Sequence, residues 1–167
     1  PWTRSARQLQ TRIGFLSRHI GGEWPDVSDE KLLEELEQWL PPYAYGMKSR
    51  ADLQKLNMFE ALESRLSWER RRRLDEEAPT HWQVPSGSRI PIDYADPDAP
   101  ALAVRLQELF GLPESPRIAG GRVPLTLHLL SPAQRPVQVT RDLANFWRET
   151  YFEVRKELRG RYPKHYW

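Results

Sequence analysis

The period of the apolar residues changes half-way along this chain, and that change limits the folds open to it more than any other feature. Up to residue 78, leucine, isoleucine and aromatic side chains recur every three or four positions, the spacing that lines one face of a helix. From Pro79 onward, short runs alternate apolar with polar residues between clusters of Pro, Ser, Gly and Asp, the pattern of strands joined by turns. The chain therefore reads as α+β: a helical segment over 1–78, then a small α+β domain over 79–167 with the order ββαββα.

In the first half, Leu9, Ile13, Leu16 and Ile20 predict a helix closed by Gly21-Gly22. Ser28 is expected to cap a second helix, with Asp29 and Glu30 in its first turn and Leu32, Leu33, Leu36, Trp39 and Leu40 as its apolar face. Pro41-Pro42 should end it. A third helix is expected from Ser49, carrying Leu53, Leu56, Phe59, Leu62 and Leu66 and extending through Trp68 toward Leu74. In the second half, residues 81–84 and 89–94 flank Pro85-Ser86-Gly87-Ser88 and predict a hairpin. Asp98 is expected to cap a helix in which Leu102, Leu106, Leu109 and Phe110 share a face, with Gly111 just past its end. Val123, Leu125, Leu127 and Leu129 predict a strand with one apolar face, paired through Ser131-Pro132-Ala133-Gln134 with residues 136–140. A last helix should run from about Arg141 to Arg159 and stop at Gly160.

Several chemistries are excluded by what the 167 residues lack. Without cysteine there is no disulfide framework, no thiolate metal ligand and no thiol nucleophile. No apolar run approaches the roughly 20 residues that cross a bilayer. The nine glycines never take the spacing of a phosphate-binding loop, and Gly120-Gly121 reads as a turn before a strand. The four histidines are far apart in sequence, and the carboxylates fall on charged helix faces where solvation accounts for them. No catalytic, cofactor or metal site is expected. Pro1 opens the chain with no initiator Met and no signal-peptide pattern, so the sequence reads as a piece of a longer protein.

Charge is unevenly placed. Residues 1–78 carry 13 basic and 14 acidic side chains, residues 79–167 carry 12 and 9, and 135–167 alone hold 8 and 4. Twenty of the 25 cations are Arg, whose planar fork suits bidentate phosphate contact and stacking, although a GC-rich codon bias gives the same preference. On a wheel of about 100° per residue, Leu143, Trp147, Thr150, Tyr151, Val154 and Leu158 form the buried face of the last helix, and Asp142, Glu149, Glu153 and Glu157 an acidic stripe. Arg141, Arg148, Arg155 and Arg159 align within about 40° of one another, with Phe152 and Lys156 beside them. Arg161, Tyr162 and Lys164 continue the basic, aromatic character into the tail with His165, Tyr166 and Trp167. Such a stripe either follows the phosphates of a single-stranded nucleic acid, with the aromatic rings as stacking surfaces, or pairs with acidic residues of a neighbouring domain. Arg70 to Arg73 are flanked by Glu69, Asp75, Glu76 and Glu77 and read as a self-neutralised helix end.

The second half carries a longer signature. Ala78-Pro79-Thr80-His81, Val84-Pro85-Ser86-Gly87-Ser88, Ile92-Asp93-Tyr94, the stretch 121–132, Arg135-Pro136-Val137-Gln138-Val139-Thr140, Phe146-Trp147 and the closing string from Val154 to His165 together resemble the C-terminal region of the bacterial HrpB-type ATP-dependent RNA helicases of the DEAH/DExH class. Pro1-Trp2, Trp24-Pro25-Asp26, Trp39-Leu40-Pro41 and Arg73-Leu74-Asp75 fit the same region, so the resemblance covers nearly the whole chain. It implies a cytoplasmic parent enzyme whose two motor lobes bind ATP and magnesium. None of the parent's nucleotide-binding or catalytic motifs lies in these residues, so none is carried over, and a further acidic, Pro-rich end is expected beyond Trp167. Two functions remain open. The chain is a non-catalytic accessory surface that binds or guides single-stranded RNA through Arg141, Arg148, Phe152, Arg155, Lys156, Arg159, Arg161, Tyr162 and Lys164, or it is a module that docks on the helicase core domains or another protein.

Overall fold

In the computed structural model, which describes residues 1–167, the chain divides into two units, Pro1–Ala78 and Pro79–Trp167. The first unit is helical. Helix α1 (Arg4–His19) starts where the Thr3 hydroxyl accepts from the Ala6 N–H, and it ends at Ile20 before Gly21, whose φ of 70° is open to glycine at little cost. Its inner face places Leu9, Ile13, Phe15 and Leu16 in the core and packs against α6 (Met58–Glu63). Ser28 caps α2 (Asp29–Glu34) by accepting from the Lys31 N–H, as its sequence position predicts.

The two longer helices expected after Ser28 are instead divided into shorter pieces. The second breaks at Glu35 into α2 and α3 (Leu36–Trp39), and Pro41-Pro42 begin α4 (Pro41–Ala44) rather than simply ending helix. Proline suits a first helical position because the N–H it lacks has no intrahelical partner there. The third becomes α5 (Arg50–Leu53), α6 and α7 (Trp68–Glu77). Each restart has a capping side chain: Ser49 accepts from the Asp52 N–H, Asn57 from Glu60 and Ser67 from Arg70. These short polar groups bond the backbone locally and so compete with helix continuation, which a count of apolar positions cannot register.

The second unit is built on a five-stranded sheet in the order β1-β2-β3-β6-β7. Strands β1 (His81–Gln83) and β2 (Arg89–Asp93) form the expected antiparallel hairpin, its turn using Gly87 at φ 98°. The expected helix after Asp98 is not formed. Residues 101–105 are strand β3 (Ala101–Arg105), followed by a single 3₁₀ turn over Leu106–Leu109. A spacing of four between Leu102 and Leu106 satisfies a period of two as well as one of 3.6, and Val104 between them is buried. The tertiary partner decides: Leu102 pairs with Leu127 and Val104 with Leu129 in a parallel ladder with β6 (Thr126–Leu130). The α+β class stands, with a strand in place of the internal helix of ββαββα. A short ribbon of β4 (Arg117–Ile118) and β5 (Val123–Pro124) precedes β6, and β7 (Pro136–Thr140) pairs antiparallel with it. Leu125, Leu127 and Leu129 are fully buried, as their alternation predicts.

The last helix departs from regular geometry. Asp142 caps α8 (Leu143–Asn145) by accepting from the Asn145 N–H, Phe146–Thr150 form a π-helical turn, and α9 (Tyr151–Arg161) continues through Gly160 rather than stopping there. Tyr151 donates its N–H to the Phe146 carbonyl, five residues back. That extra residue in the turn re-phases the helix and puts Phe146, only 1% exposed, into the core, while Trp147, Thr150 and Tyr151 stay half-buried.

Candidate nucleic-acid interface

Helix α9 buries Val154 and Leu158 against the unit, which turns Phe152, Arg155, Lys156 and Arg159 outward along one side. Residues three, four and seven apart are neighbours on a helix, so these four side chains meet. With Gly160 they line an open depression of about 380 Å³. Phe152 is 60% exposed, a large apolar area for a soluble surface, and it sits among cations. Arg148, Arg155, Lys156, Arg159 and Lys164 have no ion-pair partner, and the Arg155 Nε is buried without a hydrogen-bond acceptor.

The expected stripe is shorter than a regular wheel draws it. Arg141 lies before the cap, its guanidinium donating to the Asp98 carbonyl at 3.2 Å and its own carbonyl accepting from the Ser115 hydroxyl. Arg148 falls within the π turn, outside the regular helix that carries Arg155 and Arg159, and it does not border the depression. Arg161 is exposed but faces Glu157 at 3.8 Å, the one ion pair of the stripe. Tyr162 is half-buried and its hydroxyl reaches Ser131 Oγ at 3.4 Å. Lys164 is exposed and outside the depression. The tail packs on its own unit: Trp167 is buried, its indole N–H donates to the Tyr162 carbonyl, and its carbonyl accepts from the Tyr151 hydroxyl. Burial raises the Tyr151 pKa above its ordinary value.

The run Arg70 to Arg73 is paired with carboxylates only at its two ends. Arg70 bonds Glu23 and lies over the Trp24 ring, Arg71 bonds the Glu63 carbonyl, and Arg73 pairs with Glu77. Asp75 pairs with Arg12 instead of with the run. No group of three or more histidine and carboxylate side chains is arranged to hold a metal ion, and the Gly120-Gly121 turn leads into strand β5 rather than into a helix N-terminus. No helix is long and apolar enough to cross a membrane.

Residues 39–167 match the family model described as ATP-dependent helicase C-terminal. The chain belongs to that family. It is 52% identical over 167 residues to the ATP-dependent RNA helicase HrpB of Escherichia coli K12, covering 99% of this chain and 21% of the relative. The crystal structure of the E. coli DExH-box NTPase HrpB superposes with a TM-score of 0.92 at 51% identity, and that of the Escherichia coli DEAH/RHA helicase HrpB with 0.80 at 50%, each covering 99% of this chain and 21% of that one. The chain thus spans about a fifth of the length of the relatives it matches.

Two surfaces escaped the sequence reading. One is an apolar groove of about 630 Å³ on the helical unit, lined by Leu32, Leu33, Leu36, Trp39, Leu53 and Met58 among others, with Leu33 68% exposed. Its residues come from the N-terminus and α1 as well as from α2, α3, α5 and α6, so no single helical pattern announces it. The other is a depression on the sheet unit, where the loop after the 3₁₀ turn meets Trp147 and Tyr151.

Proposed function

We propose that this chain is a non-catalytic accessory domain of an ATP-dependent RNA helicase that binds single-stranded RNA and guides it relative to the motor. The observation that carries the reading is the cluster of Arg155, Lys156 and Arg159, without carboxylate partners, around the exposed ring of Phe152. Cations follow a phosphate backbone, and an exposed ring offers a stacking surface that every base can use. ATP and magnesium belong to the motor lobes of the parent polypeptide, and the chain by itself neither binds nor hydrolyses ATP. Its place is the cytoplasm, where the parent acts on RNA.

Salt-titrated binding to a labelled single-stranded RNA tests the reading. Three phosphate contacts predict a slope of log affinity against log salt of about −2. Reversal of Arg155 and Arg159 to Glu is expected to abolish binding, while Arg148→Glu, outside the depression, weakens it less. Unchanged RNA affinity in the double reversal overturns the reading.

The groove on the helical unit favours a second reading, in which the chain docks on the helicase core domains through apolar surface. Exposed Leu33 and Leu53 bordering one groove are the kind of patch that a protein surface covers. Leu33→Glu weakens core association under this reading and leaves RNA binding unchanged under the first.

A further inference from the structure

The exposed Phe152 is the end of a longer aromatic surface. Its ring centroid lies 5.7 Å from that of Tyr151, which is 5.1 Å from Trp147 and 6.2 Å from Phe110. Phe110, Gly111, Leu112 and Pro113 leave the 3₁₀ turn after β3 and line, with Trp147 and Tyr151, an open depression of about 360 Å³. Phe110, Trp147 and Tyr151 are each half-buried, so part of each residue remains accessible. They are also held in place: the Trp147 indole N–H donates to the Leu112 carbonyl at 2.7 Å, and the Tyr151 hydroxyl to the Trp167 carbonyl at 2.7 Å. Gly111 takes φ 96°, and nothing stands within 4 Å of where its side chain would begin, so the mouth of the depression is open at the loop. Rings fixed before binding lose little freedom when a flat ligand stacks on them.

The same helix supplies the charge. Tyr151 borders the aromatic depression, and the next residue, Phe152, with its ring centroid 5.7 Å away, borders the cationic one. A peptide side chain would also fit an apolar hollow. A row of unpaired cations beside that hollow favours a polymer that alternates a flat ring with a phosphate at every residue.

We infer that the depression formed by Phe110 to Pro113, Trp147 and Tyr151 seats an unstacked base of a single-stranded RNA whose phosphates lie along Arg155, Lys156 and Arg159. This rests on the RNA reading above and adds the group that is recognised, the face of a base in addition to backbone charge. A duplex keeps its bases stacked inside and presents no free face to Trp147 or Tyr151, so the seat selects single strands.

Fluorescence anisotropy tests the seat with three labelled probes of roughly 12 nucleotides: an oligouridine, a ribose-phosphate strand without bases, and an RNA duplex. The oligouridine is expected to bind about tenfold more tightly than either of the others. Substituted with 4-thiouridine and irradiated, it should crosslink to Phe110, Trp147 or Tyr151. Phe110→Leu is expected to remove most of the base preference and leave the salt slope intact, and should that variant unfold, the crosslink map of the unaltered chain decides. Equal affinity for all three probes, with crosslinks elsewhere, overturns the seat and leaves the RNA reading standing. Failure to bind any strand overturns both. Displacement of the oligouridine by an acidic amphipathic peptide, with no crosslink at these rings, overturns the seat in favour of a protein-binding hollow.

Discussion

Arginine has different work in the two units. In the helical one, Arg12 is buried on the inner face of α1, where its Nε donates to the Ala78 carbonyl and its terminal nitrogen to Asp75, both at 2.8 Å. Arg7, Arg65, Arg70 and Arg73 likewise reach Asp29, Glu35, Glu23 and Glu77. Free cations occur there too, but Arg50 borders an apolar groove and Lys55 a separate depression of more polar lining. In the sheet unit, Arg105 and Arg161 have carboxylate partners, whereas Arg155, Lys156 and Arg159 share one depression with none. The formal net charge of +2 conceals this difference, because it counts charges without asking which are already answered from within the fold.

The sharpest test of the contrast is Arg12→Ala, which strands a buried carbonyl and is expected to cost about 3 kcal/mol in urea unfolding. Asp75 is 86% exposed and recovers water, which keeps the loss below that of a fully buried pair. A loss under about 1 kcal/mol would show that Arg12 is not structural and would break the comparison. Ser28→Ala, which removes the cap of α2, should cost about 1 kcal/mol in the same assay and leave RNA affinity unchanged.

Acid should weaken the helical unit through its tied carboxylates. Hydrogen bonds from Gln10 and Arg7 lower the Asp29 pKa, and backbone and side-chain bonds from Ser28 lower that of Asp26, each from an ordinary 3.8. Their contribution is complete above that ordinary value and is lost as pH falls through the lowered ones. Hydrogen exchange followed from about pH 5 to about pH 2 should therefore show the α1–α2 junction opening as these groups protonate. Unchanged protection across that range would remove the two carboxylates from the account. The smallest expected effect on stability is that of Arg155→Gln with Arg159→Gln, within about 0.5 kcal/mol, in a variant that nonetheless binds RNA poorly. A larger loss would mean that these cations serve the fold, and the contrast between the units would vanish.

How much of this was legible depended on whether one element or two decided the outcome. Leu125, Leu127 and Leu129, the Ser28 cap and the Gly87 hairpin follow local rules and were readable. The strand at Ala101–Arg105 was not, because Leu102 and Leu106 suit either period and β6, distant in sequence, settles the choice. The π turn was equally hidden, since the step from Phe146 to Tyr151 is longer than a wheel allows. That explains the site as well. Phe152, Arg155, Lys156 and Arg159 lie within one regular helical stretch and come together, whereas Arg141 and Arg148 precede or sit within the irregular turn and fall away. The aromatic depression needs a loop and a helix at once, and no local pattern announces it.

The parallel pairing of β3 with β6 has a consequence for how the chain is made. Parallel neighbours cannot be joined by a tight turn, so residues 106–125 must all be synthesised before β3 finds its partner. Without β6 the edge of β3 that carries Leu102 and Val104 is unpaired, the kind of edge that sticks to other chains. The loop that walls the aromatic depression lies inside that waiting segment, so the pairing of β3 with β6 also brings it into place.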